Sequence, residues 1–335
     1  ETISEVLNKC KNKKEYPKYF IINGVKIRDK QEIANGFNKY FANIGPSFSS
    51  NIPDHTDKNV NTYLKKKIAD DFQFQTINQE NLKKIINKIK PKSSTGYDNI
   101  STHLFKQISD TIIPVLTLIV NQSITTGIFP DKLKIAKIIP LFKKDDPHIL
   151  DNYRPISLLP AISKVFERAV FIQLYEYMNS NNLLYKSQYG FRSLHSTELV
   201  SLEIVDIITQ DLDQGKLPLG VFLDLSKAFD TLDHSILLNK LNYYGVKGCA
   251  LAWFQSYLTN RVQYVVYDNT QSSMLPITTG VPQGSILGPL LFIIYLNDIH
   301  EASKKFHAIL FADDSNLTST LCSFNVSLTD TSYNK

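Results

Sequence analysis

The hydrophobic positions of this chain follow two spacings, one typical of helices and one typical of strands. Helical spacing predicts helices at residues 31–44, 112–126, 163–178, 196–212 and 233–244, and a further apolar helix after residue 284. Short apolar runs predict strands at residues 136–142, 153–159, 219–225, 261–267, 274–279 and 306–312. Because the two kinds of element are mixed along the chain, we predict an α/β (α+β) fold in which helices pack on sheets.

The first part of the chain differs from the rest in its pattern of apolar and polar residues. Residues 1–90 alternate short apolar patches with Lys and Asn runs, and a loop with Pro91 and Gly96 follows. We therefore predict a basic N-terminal extension or linker at residues 1–90 and a second domain at residues 91–335. The chain starts at Glu1 and ends soon after its last motif, so a fragment of a longer protein is expected.

Charge is segregated along the chain. Residues 1–150 hold 24 Lys and Arg against 15 Asp and Glu, whereas residues 151–335 hold 13 against 17. A basic half suits a partner that carries phosphates, and an acidic half can supply metal-binding carboxylates. Lysine-rich surfaces also occur for solubility alone, so the charge pattern leaves both interpretations open.

Two simple features predict an intracellular, soluble protein. The three cysteines, at positions 10, 249 and 322, lack the spacing of a zinc site or a disulfide framework. The longest apolar run, residues 286–296, is interrupted by Gly288 and Pro289 and is too short to cross a bilayer.

Three carboxylates stand at the ends of apolar runs. Asp224 ends a run typical of a buried strand, and Asp313 and Asp314 follow the apolar run at residues 306–312. Folding is expected to bring them to the rim of one sheet, where their mutual repulsion calls for a cation. Mg²⁺ prefers such hard oxygen ligands, and two ions about 4 Å apart can activate an attacking 3′-hydroxyl and stabilise a leaving pyrophosphate. The pattern therefore predicts nucleotidyl transfer.

Taken singly, each acidic residue has a simpler explanation. An Asp-Asp pair is common in a solvated hairpin turn, and an Asp at a strand end is often the N-cap of a helix. Asp230 and Asp233 fit capping or helix-start charges better than metal ligands.

Five motifs, in a fixed order along the chain, make the functional prediction more specific. They lie at residues 152–159, 189–192, 222–234, 280–289 and 311–314. In sequence, order and spacing they resemble the fingers and palm motifs of non-LTR (LINE-type) retrotransposon reverse transcriptases, over about residues 90–320. The resemblance implies a right-hand polymerase fold with an antiparallel palm sheet backed by helices and α/β fingers. The thumb is expected to be absent, which predicts weak primer-template binding or no turnover.

The resemblance assigns metal binding to four positions. Asp224, Asp313 and Asp314 are implied as catalytic metal ligands, with the backbone carbonyl of Leu225 as an extra ligand. Two Mg²⁺ ions are expected, with Mn²⁺ as the alternative. Adjacent strand residues point to opposite faces, so Asp224 and Asp313 are predicted to matter most.

The resemblance also assigns nucleotide binding to several positions. Phe229 resembles the bulky gate that excludes a ribose 2′-hydroxyl, with a core aromatic as the less favoured alternative. Lys143, Lys144 and Arg154 lie on the predicted fingers hairpin, where the family places cations over the triphosphate. A solvated tip for the lysines and a surface ion pair for Arg154 are the alternatives.

Template and primer contacts are implied in two loops. Gln283 and Gly284 are expected beneath the nascent base pair, with Gln283 touching the nucleotide, because glycine permits close backbone approach. Gly190 and Arg192 resemble template-contacting positions, and Phe191 either stacks a base or, as we favour, fills the core. An ordinary turn remains the simpler explanation of the first loop.

The resemblance implies RNA-directed DNA synthesis, with an RNA template, a DNA primer and deoxynucleoside triphosphates as partners. Two alternatives remain: a group II intron-type or cellular reverse transcriptase, and a domesticated or decayed copy that binds RNA without catalysis. A nuclear location is expected from the family alone.

Overall fold

The strands lie in two larger sheets and one short hairpin. The computed structural model describes residues 16–49 and 71–321. Their strands are β1 (Phe20–Ile22), β2 (Val25–Ile27), β3 (Ile135–Phe142), β4 (Tyr153–Leu158), β5 (Leu217–Asp224), β6 (Arg261–Tyr267), β7 (Thr270–Gln271), β8 (Leu275–Ile277), β9 (His307–Phe311) and β10 (Asp314–Leu321). The strand prediction is confirmed for every predicted run, with ends shifted by a few residues.

The helices interleave with these strands. They are α1 (Lys30–Ser49), α2 (Gln79–Lys88), α3 (Thr102–Gln107), α4 (Ser109–Thr126), α5 (Ala161–Ser180), α6 (Thr197–Asp213), α7 (His234–Tyr243), α8 (Gly248–Leu258) and α9 (Gly288–Tyr295). Gly127 ends α4 in the left-handed conformation at φ 71°, as its position predicted. Asp233 caps α7 by accepting from the backbone amides of Ser235 and Ile236.

The five-stranded sheet carries the predicted charged hairpin. Its order is β4-β3-β6-β7, and β8 also pairs with β6. β3 and β4 are antiparallel, so the segment between them forms the tip that holds Lys143 and Lys144. β6 joins β3 in parallel, a pairing between distant segments that local patterns do not predict.

The N-terminal segment packs on this sheet. Phe20 and Phe37, from β1 and α1, are fully buried against Tyr153 and Tyr267 in a hydrophobic cluster of their own. α2 lies instead in the main core with α4, α5, α7, α8 and α9. Residues on both sides of position 90 therefore share cores, and the predicted domain boundary there stays a prediction.

The three-stranded sheet has the order β5-β10-β9, with both pairs antiparallel, and α6 packs on it. The expectation that β5 is a buried strand is wrong: its residues are largely exposed, and Phe222 is 71% exposed. Among the described residues β5 pairs only with β10, so it is an edge strand. An apolar run does not reveal what covers it.

An antiparallel sheet backed by helices, beside a sheet with a protruding hairpin, is the palm and fingers arrangement that the resemblance implied. The α/β fold prediction is confirmed. Among the described residues, no helix combines the length and the apolar character needed to cross a bilayer.

Candidate active site

Two of the three predicted carboxylates are direct cross-strand neighbours. Asp224 is the last residue of β5, and Asp314 is the first residue of β10. In the antiparallel register these two residues are Cα partners. Paired residues of antiparallel strands project from the same face with Cβ atoms about 5 Å apart. The sheet therefore places two carboxylates side by side at its rim.

Asp313 lies at the tip of the β9-β10 hairpin. Phe311 and Asp314 pair with each other, so Ala312 and Asp313 form a two-residue turn, with Ala312 in the left-handed region at φ 59°. Strand alternation does not apply to Asp313, because it belongs to the turn. The structure places Asp314 opposite Asp224. The greater importance of Asp313 stays a prediction.

The three carboxylates have no partners among the described residues. In that part of the chain neither side-chain hydrogen bonds nor ion pairs are found for Asp224, Asp313 or Asp314, and the side chains of Asp224 and Asp314 are exposed. Both line a cleft of about 410 Å³ together with Phe222 and Phe311. The negative charges at this rim are therefore not balanced by described side chains.

The carboxylate oxygens at this site are donors that suit a magnesium ion, but they do not form a larger cluster of ligands. Among the described residues, three or more His, Cys, Asp or Glu side chains are nowhere grouped so as to hold a metal. Mg²⁺, however, keeps several waters and is commonly held by one or two carboxylates plus substrate phosphates. The pair Asp224 and Asp314 supplies such a set. No described hydrogen bond occupies the carbonyl of Leu225, the residue after Asp224.

A buried glutamine, which our sequence reasoning missed, holds the hairpin turn. Gln188 is 2% exposed, and its Oε1 accepts from the amides of Gly190 at 2.9 Å and Ala312 at 3.3 Å. The amide of Tyr189 also donates to the carbonyl of Leu310 at 2.8 Å. Gln188 and Tyr189 therefore hydrogen-bond to the β9-β10 hairpin and stabilise the turn that contains Asp313.

Gly190 and Arg192 have structural contacts where template contacts were predicted. A Cβ on Gly190 would lie 2.0 Å from the amide nitrogen of Ala312. Arg192 donates through Nη1 to the carbonyls of Tyr185 at 2.9 Å and Gln188 at 3.4 Å. These contacts favour a supporting role, and the template assignment stays a prediction. Phe191, which we expected in the core, is 44% exposed.

The three predicted fingers cations are available for an anion. Lys143, Lys144 and Arg154 are exposed, and none has an ion-pair partner among the described residues. The surface ion pair considered for Arg154 is therefore not found there. Arg154 lies in β4 opposite Leu141, beside the hairpin tip that carries the two lysines.

An ion pair and a hydrogen bond meet on Asp151 and join three segments that are distant in sequence. Lys227 Nζ lies 3.0 Å from Asp151 Oδ1, and the Tyr40 hydroxyl donates to the same carboxylate. The hydrogen bond from Tyr40 and, after it, the one from Lys227 hold the pKa of Asp151 below its usual value. The link connects segments more than 70 residues apart in sequence, which local patterns do not predict.

Phe229 packs against other aromatic rings without being fully buried. Its ring stacks on Phe292 with centroids 4.7 Å apart and meets the edge of Phe191 at 5.8 Å. It packs against the main core but remains only partly buried. Its use as a gate stays a prediction.

The loop with Gln283 and Gly284 is fastened to the fingers. The Ser157 amide of β4 donates to the Gln283 carbonyl at 2.8 Å. Gly284 has φ 124°, and a Cβ there would lie 2.7 Å from the Ser157 carbonyl oxygen. The glycine is therefore required for close backbone approach, although the contact is with protein rather than with a described substrate.

Glu167 supports the same loop from the interior and was not identified from the sequence. It is fully buried, and its Oε2 accepts from the amides of Ile286 at 2.6 Å and Leu287 at 3.3 Å. Burial raises the pKa of Glu167, against the effect of these donors. A carboxylate on α5 thus binds the start of α9.

Comparison with known proteins agrees with this geometry. Residues 142–323 match the family model described as reverse transcriptase (RNA-dependent DNA polymerase). The RNA-directed DNA polymerase from mobile element jockey of Drosophila melanogaster is 31% identical, over 74% of this chain and 27% of that protein. The probable RNA-directed DNA polymerase from transposon BS of the same organism is 30% identical, over 87% of this chain and 33% of that protein.

The chain belongs to the reverse transcriptase family. Its relatives place it among the reverse transcriptases of non-LTR mobile elements, which confirms the resemblance in the sequence. The chain spans about a third or less of the length of these relatives.

Proposed function

We propose that this chain performs the polymerisation step of an RNA-directed DNA polymerase of a non-LTR element. The observation that carries the proposal is the cross-strand pairing of Asp224 with Asp314 beside the Asp313 turn. The family match and the names of the relatives support it. The group II intron-type alternative is not favoured by these relatives. Action in the nucleus is proposed from the family resemblance alone.

In the proposed reaction, the primer 3′ oxygen forms a bond to the α-phosphorus of a deoxynucleoside triphosphate. The bond from that phosphorus to the bridging oxygen breaks, pyrophosphate leaves, and the hydroxyl proton passes to water. Asp224, Asp313 and Asp314 would hold two Mg²⁺ ions, or Mn²⁺ in their place. When bound, such ions lower the pKa of the hydroxyl and stabilise the leaving oxygen.

The protein's own residues orient the substrates in this proposal. Lys143, Lys144 and Arg154 bind the triphosphate, because exposed cations at and beside a hairpin tip, without ion-pair partners in the described part of the chain, can close on phosphate oxygens. Gln283 and Gly284 lie beneath the new base pair, and Phe229 faces the sugar. An RNA template and a DNA primer would occupy the cleft next to the carboxylates.

The direct test is incorporation of labelled dTTP on an oligo(dT)-primed poly(rA) template. With the protein in excess over the primed template, so that weak primer-template binding is overcome within a single turnover, we expect incorporation with Mg²⁺, loss of it with excess chelator, and recovery when Mg²⁺ is restored. A chain that binds the primed template but never incorporates the label would be an RNA-binding copy, and the proposal would be wrong.

Replacing Phe229 by Ala tests the gate. We expect the preference for deoxynucleotides over ribonucleotides to fall by about tenfold or more, since loss of one steric contact at a pocket is worth that much discrimination. Single-nucleotide incorporation with dTTP and UTP measures the ratio. Phe171→Ala, which removes an aromatic ring stacked on Tyr175 in α5, is the control and should leave the ratio unchanged. An unchanged ratio in the Phe229 variant would show that the Phe229 ring only packs against its neighbours and does not select the sugar.

A further inference from the structure

Asp230 has a contact that the capping role expected from sequence does not explain. Asp233, not Asp230, caps α7. The Oδ2 atom of Asp230 accepts a hydrogen bond from Gln283 Nε2 at 2.7 Å. Asp230 also directly follows Phe229, so one turn of the palm carries the proposed gate and this carboxylate.

The backbone of the Gln283 loop is fixed to the same turn without the carboxylate. The Gly280 amide donates to the Leu232 carbonyl at 2.7 Å, and the Val281 amide donates to the Phe229 carbonyl at 2.9 Å. Gly280 is so close that a Cβ would lie 2.7 Å from the Phe229 carbonyl oxygen. The Asp230 side chain is therefore not needed to place the loop, and its specific effect falls on the Gln283 amide.

An ionised carboxylate only accepts hydrogen bonds, so it fixes which end of the Gln283 amide faces it. The Nε2 donor is held at Asp230, and Oε1 is left as an acceptor on the other side. We propose that Asp230 is a positioning residue that orients Gln283 so that its Oε1 accepts a hydrogen bond from the incoming nucleotide. The inference rests on the proposed function, because it requires a nucleotide at Gln283.

The electrostatics of Asp230 agree with a role other than stability. Burial raises its pKa from 3.8 to about 6, although Gln283 and Lys227 act in the opposite direction. Tyr40 faces it from α1, Lys227 is bound to Asp151, and Arg261 lines the same small cavity from β6. A folded-state pKa above the unfolded value means that folding favours the proton. This stabilising contribution is complete below pH 3.8 and is lost as the pH rises through about 6.

The substitution Asp230→Leu removes the acceptor at similar size, and Asp230→Asn keeps an oxygen but not the charge. In the 335-residue chain, the affinity for dTTP is measured on a primed template whose primer is chain-terminated, so that no chemistry occurs. We expect Asp230→Leu to weaken dTTP binding about tenfold, as for loss of a hydrogen bond to a charged group, and Asp230→Asn to weaken it less. In a Gln283→Ala background, Asp230→Leu should add less than about twofold, because the two residues act through one contact.

Thermal unfolding separates positioning from a structural role. At pH 8 the melting temperature of Asp230→Asn should equal or exceed that of the unmodified chain, with a smaller difference at pH 5, whereas a stabilising carboxylate would give a decrease at pH 8. Asp233→Ala, three residues further on, is the control: it removes the N-cap acceptor of α7, so it should lower the melting temperature without changing dTTP affinity.

The outcomes distinguish this inference from the proposed function. Normal dTTP binding by Asp230→Leu, or an equally large loss in the Gln283→Ala background, overturns the positioning role alone. Failure of the unmodified chain to bind dTTP on the primed template overturns the proposed function, and the positioning role with it.

Discussion

Asp224→Asn protein incorporates dTTP about 10³-fold or more slowly than the unmodified chain. The substitution keeps the size of the side chain and removes one of the two paired charges at the rim of the sheet. Metal ions at such sites contribute several kcal/mol to transition-state stabilisation, and each 1.4 kcal/mol corresponds to a tenfold change in rate. Because the Asp224 side chain is exposed and has no hydrogen bond or ion pair among the described residues, the melting temperature should remain close to that of the unmodified chain. Single-turnover incorporation at saturating dTTP and Mg²⁺ measures the effect.

Asp206→Asn is the matched control. Asp206 is an exposed aspartate on α6, the helix that packs on the same sheet, and it lies outside the carboxylate pair. Its substitution should leave incorporation unchanged. Parallel measurements on Asp313→Asn and Asp314→Asn rank the two adjacent carboxylates. If Asp224→Asn retained full incorporation, the paired carboxylates would have no part in the chemistry.

Local pattern was sufficient for most elements because their signals lie within a few residues. Helical spacing at residues 31–44 predicted α1, and Gly127 marked the end of α4. The parallel pairing of β3 with β6 could not be predicted from local patterns, since it joins strands about 125 residues apart. The exposure of β5 was missed for a related reason: an apolar run reports its own composition and not its neighbours.

The sequence predicted that the strand-end carboxylates lie at one rim, but not which residue faces which across the sheet. Strand ends placed Asp224 and the Asp313-Asp314 pair at one rim, as the structure shows. Which of the two adjacent residues faces Asp224 depends on the length of the turn, and a two-residue turn takes up Asp313. Supporting residues such as Gln188 and Glu167 escaped because each contacts a segment more than 100 residues away.

Gly190→Ala should damage the site through the Asp313 turn rather than through lost template contact. The added methyl group would lie 2.0 Å from the Ala312 amide nitrogen, a backbone atom that cannot rotate away. Overpacking of this kind costs about 1–3 kcal/mol, and a shift of about 1 Å in catalytic groups can reduce the rate roughly 100-fold. We therefore expect a lower melting temperature together with a roughly 100-fold loss of incorporation.

Gly220→Ala is the control for this substitution. Gly220 lies in β5 of the same sheet, and the nearest contact of an added Cβ is the Phe222 ring at 3.5 Å, an ordinary van der Waals distance. Where the backbone tolerates it, Gly→Ala stabilises by about 0.5 kcal/mol through the unfolded state, so stability and incorporation should be retained. Affinity for a labelled primed template then separates two explanations. A Gly190→Ala protein that binds it normally but incorporates slowly has a displaced turn. One that melts normally and loses only affinity for the primed template would show that Gly190 contacts the template, contrary to the packing argument.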